Sequence, residues 1–322
     1  MITKSELKLD GIELSRIALG THTFCNETAK VSREIFDEYL KNGGNVIDTG
    51  RCYGGDVLNP THEPESEKHI GSWLESNGMR NKVVLITKGG NPEFKDRKLV
   101  RHRITARDIE EDIHKSLQAL KTDYIDIYFV HKDNPNIEAG EVIEILSKYV
   151  KCGMVKHIGA SNWSTERIEE ANRYAAQHNF PAFEYSELAF SLKAGVIDNW
   201  NKDELPLEMS ANDYNNYRKN KIPVFDYASQ AYGFFYRDSL PANVSEQNRE
   251  MAMRLKEICD KKQINAHQAL FGFHFGCDVK NIPIISAKTM SRLYEVLDNC
   301  DVILEPDEVQ YLLEKRFNFY TR

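Results

Sequence analysis

The chain has no Cys-x-x-Cys pair and no Cys/His grouping at metal-site spacing. Its six cysteines, Cys25, Cys52, Cys152, Cys259, Cys277 and Cys300, are scattered, which argues against a disulfide framework or a metal centre. No apolar run approaches the roughly 20 residues that cross a bilayer as a helix. The N-terminal MITKSELKLDG lacks an apolar signal segment, so a cytoplasmic location with no membrane partner is expected. Excess positive charge is missing too: the formal net charge of −7 argues against a nucleic-acid partner held by its phosphates. After the first predicted strand the sequence reads Leu19-Gly20-Thr21-His22-Thr23, so the glycine fingerprint of a doubly wound dinucleotide-binding sheet is absent.

What remains is a pattern of short apolar runs alternating with amphipathic helices. Asp10-Gly11 sits between alternating segments and predicts a hairpin turn ahead of the main fold. Strands are predicted at Ile17 to Leu19, at Val46-Ile47, from Val83 to Ile86, from Ile125 to Val130 and from Val155 to Ala160. Three more follow, around Phe183, from Pro223 to Tyr227 and from Ile282 to Ile285. The clearest helix runs from Arg107 to Leu120, with Ile109, Ile113, Leu117 and Leu120 on one face behind a Thr105 cap. A long polar connection is read from Lys193 to Lys221. Eight strands separated by helices, with no composition break, predict an α/β fold: one (β/α)8 TIM barrel over residues 1–322, preceded by a short β-hairpin.

In such a barrel the active site lies at the C-terminal ends of the strands. The stretch Asn45 to Gly54, NVIDTGRCYG, runs from a buried strand into Asp48, Thr49 and Tyr53; the next strand delivers Lys88 and the one after it His131. A phenol has a pKa near ~10, and an adjacent ammonium stabilises the phenolate. A carboxylate keeps that ammonium charged, and a neutral imidazole can orient a carbonyl oxygen. The four together suit protonation of an oxygen whose carbon receives hydride. Each also has an ordinary reading, as a turn former, a packed tyrosine, a surface lysine or a backbone-satisfied histidine; their joint placement is the argument.

These residues lie in segments that resemble the aldo-keto reductase family nearly end to end: LGTHTF, NVIDTGRCYG, LITKGG, SLQALKTDYIDIYFVH, GMVKHIGASNW and IPIISA. The resemblance implies a catalytic tetrad at Asp48, Tyr53, Lys88 and His131, with Tyr53 the general acid in reduction. It implies that Ser161 and Asn162 hold a nicotinamide carboxamide and that Tyr227 stacks on the ring. Glu187 stands where the family usually has Gln, so a contact there would have to come from the carboxamide NH₂. Ser229, Gln230, Ala231 and Gly233 fall where the family wraps the pyrophosphate. Ser286, Lys288 and Arg292 fall at the 2′-phosphate end, which favours NADP(H) over NAD(H). Glu295 matches an acid at the adenine end, and Val296 replaces the usual Asn.

The implied activity is NADPH-dependent reduction of an aldehyde or ketone, with a small-molecule carbonyl substrate. The alternative is a cofactor-binding regulatory subunit with little turnover, and a Schiff-base role for Lys88 is a third reading. Phe24, Trp163 and Trp200 are candidate apolar pocket walls. Arg51 is a candidate contact for a negatively charged substrate, and the basic run from Asn91 to Arg103 either attracts anions or is a solvated loop.

Overall fold

The computed structural model describes residues 1–55, 63–197, 206–237 and 239–317. The predicted hairpin forms as β1 (Lys4–Leu9) and β2 (Ile12–Ser15), with Gly11 in the left-handed region at φ +83°. Eight parallel strands then close into a barrel: β3 (Ala18–Gly20), β4 (Val46–Asp48), β5 (Val84–Gly89), β8 (Ile125–Val130), β9 (Val155–Ser161), β10 (Tyr185–Ala189), β11 (Val224–Tyr227) and β12 (Asn281–Ser286). β12 pairs back onto β3, Ile285 opposite Leu19. Between β5 and β8 lies a small antiparallel hairpin, β6 (Glu93–Lys95) and β7 (Lys98–Arg101). Helices cover the outside: α1 (Ala29–Lys41), α2 (Glu65–Asn77), α3 (Ala106–Leu120), α4 (Ala139–Lys151) and α5 (Thr165–His178) on one half. On the other are α6 (Ala211–Asn220), α7 (Glu246–Lys262), α8 (Ala266–Gly276), α9 (Met290–Leu297) and α10 (Pro306–Phe317).

Strand periodicity of two sends alternate side chains inward. Val46, Val84, Ile86, Ile127, Phe129, Tyr185, Phe225, Ile282 and Ile284 form one buried cluster with Leu9 and Leu14. The barrel is therefore packed through its centre, and the hairpin stoppers its N-terminal end. Asn45 fixes the stopper: its Oδ1 accepts from the Ser15 N–H at 2.7 Å and its Nδ2 donates to the Glu13 carbonyl at 2.8 Å. Gly159 is needed for closure, since a Cβ there would lie 2.3 Å from the Phe129 ring and 2.8 Å from the Tyr185 carbonyl.

Two expectations are corrected. The sixth strand is Tyr185–Ala189, because the Phe183 backbone is taken by a side chain: its N–H donates to Asn172 Oδ1 at 2.8 Å and its C=O accepts from Asn172 Nδ2 at 2.9 Å. The connection after Lys193 contains α6, capped by Ser210 and Asp213, and it buries Tyr214 and Tyr217 rather than an aliphatic stripe. The basic run before α3 contains the hairpin; Arg101 pairs with Glu93 and Asp108 and Arg103 with Asp112, while Lys95 and Lys98 are exposed.

Candidate active site

At the C-terminal rim the inward positions become polar. Asp48 ends β4 and Lys88 lies near the end of β5, both buried. Their charged ends meet in a hydrogen-bonded ion pair, and Lys88 Nζ also donates to the Thr49 carbonyl at 2.9 Å. Glu187 of β10 approaches the same ammonium, Oε2 to Nζ at 3.2 Å. Burial works against the Lys88 charge, but Asp48, Glu187 and Tyr53 outweigh it and hold its pKa well above the usual lysine value. A permanently charged amine is a poor nucleophile, so this environment disfavours the Schiff-base reading.

Tyr53 sits on the loop after β4, where its N–H donates to the Gly50 carbonyl at 2.9 Å. Lys88 Nζ lies 4.9 Å from its ring centroid. The His131 ring meets it edge-on at 5.9 Å, and His22 does the same at 6.2 Å. The expected acidification of this phenol is corrected. Burial raises its pKa well above the ordinary value, Lys88 pulls it down, and Asp48 and Glu187 offset part of that pull. The phenol therefore keeps its proton at neutral pH, the form a donor requires. Burial also drives His131 well below the usual imidazole value, with Lys132 and Lys88 adding to the effect. It is a neutral ring whose Nδ1 faces Cys52 Sγ at 3.7 Å.

These groups open into a cleft of about 630 Å³, a size suited to a small-molecule ligand. Asp48, Tyr53, His131, Asn162, Glu187 and Tyr227 line it. Asn162 adopts φ +59°. Its Oδ1 accepts from the Tyr227 hydroxyl at 2.7 Å and from the Leu207 N–H at 2.9 Å, while its Nδ2 donates to Ser161 Oγ at 3.0 Å and to the His131 carbonyl at 3.2 Å. Ser161 is buried and donates to Glu187 Oε1 at 3.4 Å. One hydrogen-bonded layer thus ties together β9, β10, β11 and the residue after β8.

Ser229, Gln230, Gly233, Ser286, Arg292 and Glu295 line the same cleft. Ala231 is buried behind that wall, and Lys288 is exposed beside it. Ala231, Tyr232 and Gly233 are successively left-handed, at φ +50°, +50° and +75°, a conformation that strains the two residues bearing a Cβ. His274 of α8 braces this wall, Nδ1 to Asp226 Oδ2 at 2.7 Å and Nε2 to the Ser229 carbonyl at 3.0 Å. Arg292 pairs with Glu295.

Several candidates are not brought to the cleft. Phe24 packs on Phe36 with ring centroids 5.2 Å apart, and Trp163 on Phe183 at 5.3 Å; both are core residues, not pocket walls. Arg51 is buried and acts on Glu67 and Asp112 behind the Tyr53 loop, away from the cleft lining. Trp200 lies outside the described residues. Residues given no role by sequence reasoning do line the cleft, among them His22, Phe94, Lys132, Tyr236 and His267. His22, inside the LGTHTF segment, is pushed down to about 4 by burial and by Lys288 and Lys88. Tyr236 stacks on His267 at 3.5 Å and donates to Gln230 Oε1.

A model of the Aldo/keto reductase family matches residues 16–316. The chain belongs to the aldo-keto reductase family. It is 34% identical over 173 residues to the aldo-keto reductase YhdN of Bacillus subtilis, a match covering 52% of this chain and 49% of YhdN. Against norsolorinic acid reductase stcV of Emericella nidulans it is 24% identical over 334 residues, 97% of this chain and 80% of that one. The fold is that of an aldo-keto reductase from Bacillus halodurans in its holo form, with TM-score 0.74 and 20% identity, over 98% of this chain and 96% of that one. The chain thus spans about half the length of the first of these curated relatives. Among the described residues no helix is long and apolar enough to cross a membrane.

Proposed function

We propose that this aldo-keto reductase reduces an aldehyde or ketone to an alcohol with NADPH, Tyr53 being the proton donor. The observation that carries the reading is that Tyr53, Asp48 and His131, with Lys88 buried against Asp48, line one cleft that Arg292 lines as well. The residues present fit a nicotinamide dinucleotide. Tyr227 supplies an aromatic face, Asn162 and Ser161 supply amide and hydroxyl groups, and Gln230 holds its Nε2 buried with no hydrogen-bond partner among the described residues. Ser286, Lys288 and Arg292 would hold the 2′-phosphate.

When bound, the cofactor supplies hydride to the carbonyl carbon. The chain's own residues handle the oxygen. His131, neutral, orients it by a hydrogen bond, and the Tyr53 phenol transfers its proton to the developing alkoxide, a far stronger base than phenolate. Lys88 then stabilises the phenolate left behind, held in place by Asp48 and the Thr49 carbonyl. The test is fluorescence titration with NADPH and NADH, followed by a panel of aldehydes and ketones monitored at the nicotinamide absorbance. Tyr53→Phe is expected to lose at least ~10²-fold in turnover while cofactor affinity stays within a factor of two or so; loss of both together would assign Tyr53 a structural role. NADPH binding without turnover on any carbonyl would leave a cofactor-binding regulator.

A further inference from the structure

The Lys88 ammonium faces two carboxyls rather than one. Glu187 reaches it from β10 at 3.2 Å, opposite the Asp48 pair from β4. Both acids are buried, 2% and 3% exposed. Two buried carboxyls against one ammonium leave one negative charge uncompensated, which favours a proton on one of them. Glu187 also lines the cleft beside Tyr227 and accepts from Ser161 Oγ. It is therefore at once a member of the lysine cluster and a wall of the cofactor cleft.

Resting on the nicotinamide reading of the cleft, we propose that Glu187 senses the redox state of the cofactor. Protonated, it presents one donor and one acceptor, as an amide would, beside the neutral reduced ring; ionised, it sets a negative charge beside the positively charged oxidised ring. Burial, followed by the opposing pulls of Lys88 and Asp48, pushes Glu187 up to about 8, so the change of state falls near neutrality. Asp48 on β4 is likewise raised by burial, against the pull of Lys88, and the titration belongs to the two acids together.

The other groups facing Glu187 do not titrate there. Lys88 on β5 and Tyr53 on the loop after β4 lie well above their ordinary values. Burial raises Tyr227 on β11, and the charge of Glu187 adds to that. Ser161 on β9 does not ionise, and His131 after β8 stays neutral. Binding of the oxidised form then releases a proton from the pair, and by linkage its affinity rises with pH where that of the reduced form does not. The 2′-phosphate is common to both forms, so its own titration cancels in their ratio.

The experiment is fluorescence titration of the full chain with NADPH and with NADP⁺ from pH 6.5 to 9, in parallel with Glu187→Gln. The Kd ratio of NADP⁺ to NADPH is expected to fall with pH, by at most about tenfold per pH unit for a single proton. In Glu187→Gln the ratio is expected to be flat, with NADP⁺ bound more weakly than by the unaltered chain at pH 9. A flat ratio in the unaltered chain, or an unchanged slope in the variant, overturns the proposal while leaving the cofactor site intact. Failure of both nucleotides to bind at any pH removes the nicotinamide reading and the proposal with it.

Discussion

Glu67 makes a sharp test of the electrostatics behind the Tyr53 loop. It lies on α2 with no exposed surface; Oε1 accepts from Thr87 Oγ1 at 2.6 Å, while Oε2 has no hydrogen-bond partner among the described residues. Burial raises its pKa to about 7 from an ordinary 4.5, with the Thr87 bond and the Arg51 charge pulling the other way. The folded chain therefore holds a proton that the unfolded chain has already lost across that window. The sign follows: Glu67 is least costly to the fold below its ordinary value, and its ionisation removes stability as pH rises towards 7 and slightly beyond. At ~1.4 kcal/mol per pH unit, the loss between pH 5 and 8 is about 2–3 kcal/mol. Glu67→Gln keeps the shape and the Thr87 bond but cannot ionise. Urea denaturation at pH 5, 6, 7 and 8 should show the variant gaining stability over the unaltered chain by about that amount across the range. A constant difference between the two at every pH would refute the assignment of a neutral buried acid at Glu67.

Arg292→Ala should weaken NADPH binding by roughly tenfold or more, the scale of a lost charge-assisted bond to phosphate, and leave NADH binding unchanged in the same titration. His157 of β9 sits between Glu184 at 3.0 Å and Asp10 at 3.1 Å, and its pKa is raised, first by the Glu184 hydrogen bond. Its stabilising effect is present below the ordinary histidine value and lost as pH rises through the folded one. His157→Ala should therefore lower the thermal midpoint at pH 5.5 more than at pH 8.5, by an amount worth about 1 kcal/mol or less for partly exposed partners. Gly159→Ala places a methyl against the Phe129 ring and the Tyr185 carbonyl, and overpacking of about 1–3 kcal/mol should appear as a lower urea midpoint without a change in m-value.

Much of the architecture was legible because local signals agreed with the fold. Asp10-Gly11 marked the hairpin, the Thr105 and Asp108 capping box opened α3, and left-handed Gly78 closed α2. The strand-end groups were legible for a different reason: a polar side chain at an inward position is a departure from the apolar alternation that precedes it. Other features gave no such signal. The sixth strand was displaced because Asn172, far off on α5, competes for the Phe183 backbone. α6 escaped because tyrosines and an acidic cap replace the aliphatic stripe of the other helices. α10 buries Val309, Leu312 and Leu313 at helical spacing.

The sequence by itself determined the alternation that makes a parallel barrel, the order in which Asp48, Lys88 and His131 reach one rim, and Tyr53 on the loop beside them. These are local properties, set by periodicity and by which residue follows the last apolar one. Only closure of the barrel decided which distant side chains share a neighbour. It set Glu187 against the Lys88 ammonium as a second acid, turned Arg51 towards Glu67 and Asp112 instead of the cleft, and packed Phe24 and Trp163 into the core. It also reversed the expected net shift of Tyr53, because the desolvation of a phenol depends on everything packed around it and the charge of Lys88 is divided among its acids. Strand order brings groups to the same end of a barrel; their electrostatics belong to the contacts made across it.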